Sequence, residues 1–186
     1  MLKRLGRERG AQVVRITDPF LSPTAMTAAG ADGFTEDESG FTALLVDVCG
    51  PAKAISQEAA EIARRMRRST PRLDECVSPE IASMAERVWW PAKLIDTALP
   101  SFIAPIKPRW STELFDVPAM LVPRGDVLGI SREHAYYRSS GHRGESVPAR
   151  ILWYVSEGTS GQQGKMVIGC SRLDEVAIDD PDTLFS

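Results

Sequence analysis

The stretch GISREHAYYRSS, residues 129–140, gathers several side chains that could bind a ligand. It holds two of the three tyrosines of the chain, Tyr136 and Tyr137, beside His134, with Arg132 and Arg138 close by. Aromatic rings stack on the bases of single-stranded nucleic acids, and guanidinium groups contact their phosphates. These residue types therefore predict a surface that binds RNA or a modified nucleotide.

Further candidates lie on both sides of this stretch. The predicted nucleic-acid-binding residues are Lys107, Arg109, Trp110, Arg132, His134, Tyr136, Tyr137, Arg138, Arg143 and Arg172. Positions 107–152 contain seven Lys or Arg and five Asp or Glu, a small local excess of positive charge. An ordinary structural interpretation stays open. In a strand, Tyr136 and Tyr137 would lie on opposite faces, so that one of them is buried, and Arg138 would pair with Glu133 or Glu145.

No combination of residues predicts a catalytic site or a metal site. Ser131, His134 and Asp126 are the residue types of a hydrolytic triad, but no segment resembles the strand-turn-helix motif that presents such a serine. The three cysteines are far apart and none lies at ligand spacing from a histidine or from another cysteine. We therefore expect binding without catalysis and without a metal.

Composition narrows the class of protein. The chain of 186 residues is 43% hydrophobic and 25% charged, as in ordinary globular proteins, with a formal net charge of −3. A nucleic-acid site would therefore have to be local rather than a property of the whole molecule. The charged N-terminus has no apolar stretch after it, and the cysteine usage suits a reducing compartment. We expect a cytoplasmic protein that does not enter a membrane.

Apolar patterns divide the chain into three segments, of which the first mixes strands with a helix. AQVVRIT (11–17) and FTALLVDV (41–48) are rich in β-branched residues and predict two buried strands. Between them, Ser22 and the proline after it predict a helix start. This helix should continue to about Ala31 and end at Gly33.

The second segment is helical. SQEAAEIARRMRR predicts a helix capped by Ser56, and SPE at 78–80 predicts the start of another, which Pro91 ends. The buried face of this later helix is predicted to comprise Ile81, Met84, Ala85, Val88 and Trp89. The earlier helix ends in four arginines, Arg64, Arg65, Arg67 and Arg68. They could contact phosphates, although a solvated face that complements the helix dipole is the simpler interpretation.

The third segment, from about residue 102, has the character of a β-sheet. Predicted strands are PSFIAPIKP (100–108), ARILWYVS (149–156), MVIGC (166–170) and EVAI (175–178). A glycine-rich hairpin loop is expected at 157–164, and one short helix at WSTELFD (110–116). Several short strands joined by turns predict a small barrel, which removes exposed edges by closing on itself.

This third segment resembles the ASCH members of the PUA-like superfamily over about residues 102–178. The segments that carry the resemblance are, in order, IKPRW (106–110), EHAYYR (133–138), PARILWYVS (148–156) and VIGCSRLDEV (167–176). The resemblance implies a small β-barrel that binds RNA or a modified nucleotide. Ser131 stands where the family's motif has a lysine on which the amidohydrolase activity of some members depends. The resemblance therefore implies binding rather than that activity.

The first segment is similar to the C-terminal half of a GNAT acyltransferase over about residues 10–49. The similarity rests on RGAQVVRITDPFLSPTAMTAAGADGF, which includes the pair Gly33-Phe34, and on the strand FTALLVDV after it. Enzymes of this family bind the acetyl-CoA pyrophosphate on a glycine-rich loop at a helix N-terminus. That loop would precede Met1, and so would the strand expected to pair with residues 11–17. An unpaired edge there predicts that the chain either self-associates or is loosely folded before about residue 50.

Together these observations predict an α+β protein with three parts. They are a partial GNAT-like strand-helix-strand segment (1–50), a helical connector (51–100) and a small ASCH/PUA-like β-barrel (101–186). We expect the barrel to bind RNA or a modified nucleotide with no cofactor. The alternative is the C-terminal part of a GNAT N-acetyltransferase that uses acetyl-CoA, or a non-functional fragment of one.

Overall fold

The computed structural model describes residues 2–38, 40–74, 77–107, 135–137, 145–156 and 165–184. The chain divides into two compact units, Met1–Leu99 and Pro100–Ser186. Helices and small sheets occur together in it, which confirms the α+β class. Within the described ranges, no helix has both the length and the apolar character needed to cross a bilayer.

The first unit holds most of the helices. Its elements are α1 (Leu2–Glu8), β1 (Val13–Ile16), α2 (Pro23–Ala31), β2 (Thr35–Asp37), β3 (Gly40–Leu44), β4 (Cys49–Gly50), α3 (Ala52–Arg65), α4 (Pro79–Val88) and β5 (Lys93–Leu94). The second unit contains β6 (Ser101–Ile106), β7 (Ala149–Val155), β8 (Met166–Leu173) and a short helix, α5 (Pro181–Leu184).

Three antiparallel strands in the order β1-β3-β2 form the central sheet of the first unit. On one face, Val14 and Ile16 pack with Phe41 and Ala43, and Phe34 completes this cluster. Strand β1 confirms the strand predicted at 11–17, and Ser22 caps α2 as predicted, its hydroxyl accepting the N–H of Ala25.

The strand predicted at 41–48 ends four residues early, so its predicted extent is wrong. Strand β3 stops at Leu44, and the chain then leaves the sheet for the main core of the first unit. Val46 is fully buried there, and its N–H donates to the Trp89 carbonyl at 3.4 Å. Burial between helices explains the apolar run just as well as a strand does, because a short run has no distinguishing period.

The main core lies between the other face of the sheet and helices α3 and α4. It contains Ile55, Ile62, Trp89 and Leu94, and Val13 packs against it from β1. Residues 51–100, expected as a connector, thus supply most of the core of the first unit. Tight packing of this kind is the largest stabilising contribution available to a unit of this size.

Helix α3 begins one turn before the predicted cap, so Ser56 is not its N-cap residue. The first helical N–H, that of Ala52, donates to Asp96 Oδ1 at 2.8 Å, and this carboxylate does the work of a cap. Ser56 is instead buried inside the helix, where its hydroxyl donates to the Lys53 and Leu73 carbonyls. The serine therefore connects α3 to the segment that follows it.

Helix α4 begins at the predicted place, and its buried face is partly the predicted one. The Ser78 hydroxyl accepts the Ile81 N–H, as expected for an N-cap. Ala85 and Trp89 are buried and Val88 packs against the core, as predicted. Ile81 and Met84 are at least half exposed, so the prediction is wrong for these two, and Ala82, Ser83 and Glu86 are buried instead. Small side chains at 82 and 85 permit close approach of the helix to the core, and this sets the face that is buried.

The N-terminal end of α4 carries an acidic side chain next to its cap. The pKa of Glu80 lies below its ordinary value, because the carboxylate accepts the backbone N–H of Glu80 and the Ser78 hydroxyl, against a small opposing effect of burial. A negative charge here also interacts favourably with the positive end of the helix dipole.

The C-terminal end of α4 is contacted by two distant segments. Lys3 of α1 is buried, and its ammonium donates to the Arg87 carbonyl at 2.9 Å and lies 5.5 Å from the centroid of the Phe34 ring. Gly33 approaches the same turn from the other side, with a φ of 75°. The helix end is thus held by a cation at its negative pole and by a close backbone contact.

Residues 93–96, here called the closing segment, join several elements of the first unit. Each of the four residues bonds to a residue outside the segment. The N–H groups of Lys93 and Ile95 donate to the Val48 and Gly50 carbonyls. The Leu94 N–H donates to Glu86 Oε1, and Asp96 Oδ1 accepts the Ala52 N–H. Two of these bonds build the parallel β4-β5 pair. The closing segment therefore holds β4, α3 and α4 together.

The second unit is built on a three-stranded sheet in the order β6-β7-β8. Strand β6 pairs with β7 in parallel and β8 pairs with β7 antiparallel, with a register shift after Trp153. Its core consists of Ile106, Trp153 and Val155. The strands expected at 100–108, 149–156 and 166–170 are present, the last extended to Leu173.

The strand predicted at EVAI (175–178) is wrong. These residues are exposed and belong to no strand, because β8 ends at Leu173. The described strands form an open sheet, and no closed barrel occurs among the described residues, so the barrel stays a prediction. The helix expected at 110–116 and the loop at 157–164 lie outside the described residues.

Candidate nucleic-acid interface

Four of the ten predicted binding residues belong to the described part of the chain: Lys107, Tyr136, Tyr137 and Arg172. The other six lie outside it: Arg109, Trp110, Arg132, His134, Arg138 and Arg143. Ser131 and Asp126, two members of the triad considered above, also lie outside it. The geometry of the interface is therefore that of the two tyrosines and the sheet beside them.

The Tyr136 ring is fixed against the sheet at two points. The planes of the Tyr136 and Trp153 rings make an angle of 82°, with 5.2 Å between the ring centroids. This nearly perpendicular arrangement is favourable for two aromatic rings. Its hydroxyl donates to the Pro105 carbonyl at 3.0 Å. Trp153 itself is 5% exposed, and its indole N–H donates to the Ser171 hydroxyl at 2.8 Å. Tyr136 is thus held by a buried residue while 44% of it stays exposed.

Tyr137 is also open to solvent, with 50% of its surface exposed. The interpretation in which one of the two tyrosines packs inward is therefore wrong for Tyr136 and Tyr137. Residues 135–137 belong to no strand, so the alternation on which that interpretation depends does not apply. Two consecutive rings, each about half exposed, offer flat surfaces on which bases can stack.

Arg150 and Arg172 lie on the face of the sheet opposite Trp153 and Ser171, and so opposite the side on which the Tyr136 ring packs. The Arg172 guanidinium, on β8, forms an ion pair with Asp174, with 2.9 Å between Nη2 and Oδ2. Arg150 lies opposite Arg172 in the β7-β8 pair and donates to the Ser101 hydroxyl at 3.3 Å. Lys107 is exposed directly after β6. A phosphate could reach Lys107 freely, but it would compete with a carboxylate for Arg172.

Sequence reasoning missed one residue that supports this surface and one cation on the other face of the same sheet. Trp153 supports the Tyr136 ring, and Arg150 adds a cation on the strand next to Arg172. The alternation of ARILWYV indicates a strand, but its register with β8 decides which side chains are neighbours. Only the paired structure therefore brings Arg150 and Arg172 together.

The described residues contain no group of three His, Cys, Asp or Glu side chains close enough to hold a metal ion. Cys49 and Cys170 are exposed free thiols.

The first unit has a surface depression next to α1. It has a volume of about 370 Å³ and is lined by Arg4, Arg7, Glu8, Asp47 and Trp90. Arg7 pairs with Asp47 at 2.9 Å and lies 6.0 Å from the centroid of the Trp90 ring, and Arg4 pairs with Glu8 at 2.9 Å. Every charged group in this lining is paired, so the depression offers no open charge to a ligand.

Comparison with known proteins assigns no family to this chain. No protein-family model matches it, and no curated protein or solved structure shows significant similarity to it. Function must therefore be inferred from the residues and contacts described above.

Proposed function

We propose that the second unit binds single-stranded RNA, or a modified nucleotide within it, and catalyses no reaction. The observation that carries this proposal is the pair of half-exposed rings of Tyr136 and Tyr137. Stacking of one base on an aromatic side chain contributes about 1–3 kcal/mol without any need to read the sequence. Two adjacent rings are enough for measurable binding of a flexible strand.

The fixed position of Tyr136 supports this proposal. The ring is already held by Trp153 and by the Pro105 carbonyl, so little side-chain freedom is lost when a base stacks on it. Lys107 provides an exposed positive charge in the same unit for a phosphate. The predicted cations outside the described residues would add to this charge.

The finer fold assignments belong to the same proposal. We take the β6-β7-β8 sheet to be part of an ASCH/PUA-like barrel whose remaining strands lie outside the described residues. The order α1, β1, α2, β3 in the first unit is consistent with the end of a GNAT-like sheet. In this proposal the first unit is not an active acetyltransferase.

The helix starts of the first unit do not fit the acetyl-CoA pyrophosphate. Such a group needs free backbone N–H donors at a helix N-terminus. Helices α2 and α4 each begin with proline, which has no N–H, and a serine hydroxyl already accepts the N–H of Ala25 or Ile81. In α3, the N–H of Ala52 is occupied by Asp96. In each described helix of eight or more residues, at least one of the N–H groups of the first turn is therefore missing or already bonded.

The test is binding of a fluorescein-labelled uridine 20-mer, followed by anisotropy at increasing salt. We expect the affinity of the full chain to fall as salt rises, because each phosphate contact releases counterions. Tyr137→Ala should weaken binding about tenfold at fixed salt, which corresponds to about 1.4 kcal/mol of lost stacking. Tyr137→Phe keeps the ring and should bind like the wild type.

Two controls make this test specific. Phe20→Ala removes a ring that is 90% exposed in the first unit and should leave RNA binding unchanged. Acetyl-CoA should leave the Tm of the chain unchanged, whereas a stabilising shift would favour the acetyltransferase alternative. Absence of salt-sensitive binding at low ionic strength, or full affinity of Tyr137→Ala, would contradict the proposed function.

We further propose that the chain self-associates through β1. Within the described chain, β1 pairs only with β3, so the N–H and C=O groups along its other side have no strand partner. Val13, Val14 and Ile16 make it an apolar strand, and it contains no proline to discourage pairing. A second copy could add its own β1 antiparallel to this edge.

Hydrogen exchange at residues 11–17 tests this association. We expect fast exchange of the edge amides in a dilute monomer and slower exchange as the protein concentration rises, because pairing protects the amide protons. Strand β3, which is paired on both sides, should exchange slowly at every concentration and serves as the control. Slow exchange throughout 11–17 in a dilute monomer would show that the edge is already covered.

A further inference from the structure

Helix α3 ends in a cluster of positive charge that the proposed function does not use. Arg64, Arg65, Arg67 and Arg68 are here called the arginine cluster. Arg64, Arg65 and Arg67 are exposed, and Arg68 is partly exposed. They lie within five consecutive residues at the end of α3, so their charges are concentrated at one end of the helix.

Most of this charge is not neutralised inside the protein. Arg68 forms an ion pair with Asp37. Arg65 donates to the side-chain oxygen of Gln12 at 2.8 Å, and this neutral partner leaves its charge in place. Arg64 and Arg67 make no hydrogen bond or ion pair with any residue that the structure describes. Three of the four charges are therefore available to an external anion.

The backbone at Arg67 is a second, independent observation. Arg67 has a φ of 58°, in the left-handed region, and sits just past the helix end. The bonds from Arg68 N–H to Ala63 O and from Arg67 N–H to Arg64 O, both 2.9 Å, define the helix-terminating motif in which glycine is strongly favoured at this position. An arginine here costs stability relative to glycine.

Within the described chain, no hydrogen bond or ion pair of the Arg67 side chain offsets this loss of stability. The Arg67 side chain is exposed and contacts no acidic partner, so it contributes neither packing nor a salt bridge. Strained backbone retained without a stabilising contact is a reason to look for a functional role of the side chain. A role for Arg67 in binding an anion would account for it.

The surroundings of the cluster favour a phosphate strand over a protein partner. Protein interfaces are anchored by buried apolar and aromatic side chains. None of the large apolar side chains exposed in the described chain lies between residues 49 and 80. Guanidinium groups, in contrast, match the geometry of phosphate oxygens and need no apolar contact.

We propose that the arginine cluster binds the phosphate backbone of single-stranded RNA and is a second contact surface besides the tyrosine pair. In taking RNA as the ligand, this inference rests on the proposed function. The cluster contributes affinity that does not depend on base sequence, and the stacked rings of the second unit contribute the contacts to bases. Nothing in the cluster distinguishes one base from another.

The test compares Arg64→Gln/Arg67→Gly with the wild-type full chain, using the labelled uridine 20-mer from 25 to 200 mM salt. Loss of two phosphate contacts should weaken binding by about tenfold at 50 mM salt and reduce the slope of log K against log salt by about 1.4. The matched control is Lys53→Gln, which removes an exposed charge from the other end of α3 and should leave the slope unchanged.

Arg67→Gly alone separates a binding role from a structural one. We expect its Tm to rise by about 2–4 °C, because glycine relieves the left-handed strain. Its affinity for RNA should nevertheless fall about threefold. A residue that only supported the fold could not lose binding while the protein becomes more stable.

The cluster and the tyrosine pair can fail separately. Wild-type affinity and slope in Arg64→Gln/Arg67→Gly, with weakened binding in Tyr137→Ala, would overturn the arginine surface and leave the proposed function standing. Weakened RNA binding in the arginine variant, with full affinity in Tyr137→Ala, would support the arginine cluster and contradict the function proposed for the tyrosine pair. Polyglutamate that fails to bind supports the proposal. If the wild type binds polyglutamate, and the arginine variant loses this binding but binds RNA like the wild type, the proposal is overturned in favour of an acidic protein partner.

Discussion

Replacing Gly33 with alanine is expected to lower the free energy of unfolding by about 3 kcal/mol, because two costs add at this position. The φ of Gly33 is 75°, which strains any residue with a Cβ. An added Cβ would also lie 2.8 Å from the Arg87 carbonyl oxygen and 2.9 Å from the Val88 Cα. These are backbone atoms at the end of α4, so they cannot rotate away.

The surroundings of Gly33 make the effect larger than strain alone. The Arg87 carbonyl that the new Cβ would push also accepts the bond from the buried Lys3 ammonium. Displacement of this turn would therefore disturb α1 and α4 together. Urea denaturation of the full chain, monitored by tryptophan fluorescence, measures the change, since Trp89 is buried next to this turn.

Two other glycines provide matched controls for the two costs. Gly10 has a φ of 69° with nothing within 4 Å of an added Cβ, so Gly10→Ala should lose only about 1 kcal/mol. Gly30 lies within α2 with no close neighbour, so Gly30→Ala should be neutral or stabilising by up to about 1 kcal/mol. If Gly33→Ala were no worse than Gly10→Ala, the close approach to α4 would be wrong.

Replacing Glu86 with alanine should likewise destabilise the first unit by about 3 kcal/mol. Glu86 is only 6% exposed, and its carboxylate accepts the buried Leu94 N–H at 2.8 Å while pairing with the Lys93 ammonium at 3.0 Å. The N–H groups of Lys93 and Ile95 point to the β4 side, so Leu94 N–H faces away from the sheet. Without Glu86, this donor would be buried and unsatisfied.

Two variants test this explanation in the same denaturation assay. Glu86→Gln keeps an oxygen that can accept the Leu94 N–H, so it should retain more than half of the stability lost in Glu86→Ala. Glu61→Ala removes an exposed carboxylate from α3 and should change stability by less than about 0.5 kcal/mol. An equal loss in Glu86→Gln and Glu86→Ala would show that the charge, and not the accepted N–H, is what matters.

The parts of the fold that follow from local chemistry could be predicted from the sequence. Ser22 and Ser78 each cap the helix that their Ser-Pro pair predicts, because the bond from the serine hydroxyl spans only three residues. The start of α3 could not be found in this way, since its cap is Asp96, which is 44 residues away. Ser56 has the right residue type for a cap, but a distant carboxylate replaces it.

Non-local bonding explains why the buried side of α4 includes a carboxylate. An apolar stripe predicts that Met84 lies in the core, but Met84 is exposed and Glu86 is buried, where its carboxylate accepts the Leu94 N–H. A carboxylate is rarely buried without such partners, so a sequence pattern alone predicts that Glu86 is exposed.

The tyrosines of the candidate interface were predicted from their residue types, and their surroundings were not. Tyr136 depends on Pro105, 31 residues earlier, and on Trp153, in the strand β7. These contacts follow from the parallel pairing of β6 with β7, which no local pattern specifies. The exposed position of the Tyr136 ring thus depends on the sheet register as much as on the aromatic residues themselves.

The closing segment has a consequence for how this protein is made on the ribosome. Residues 93–96 bond to β4, α3 and α4, all of which leave the ribosome earlier. Until they emerge, the Ala52 N–H and the Glu86 carboxylate lack the bonds that this segment makes to them, and Leu94 does not yet cover the apolar sides of both helices. A nascent chain whose residues 93–96 have not yet left the ribosome should therefore expose apolar surface to chaperones. This apolar surface should become buried only after the end of the first unit has left the ribosome.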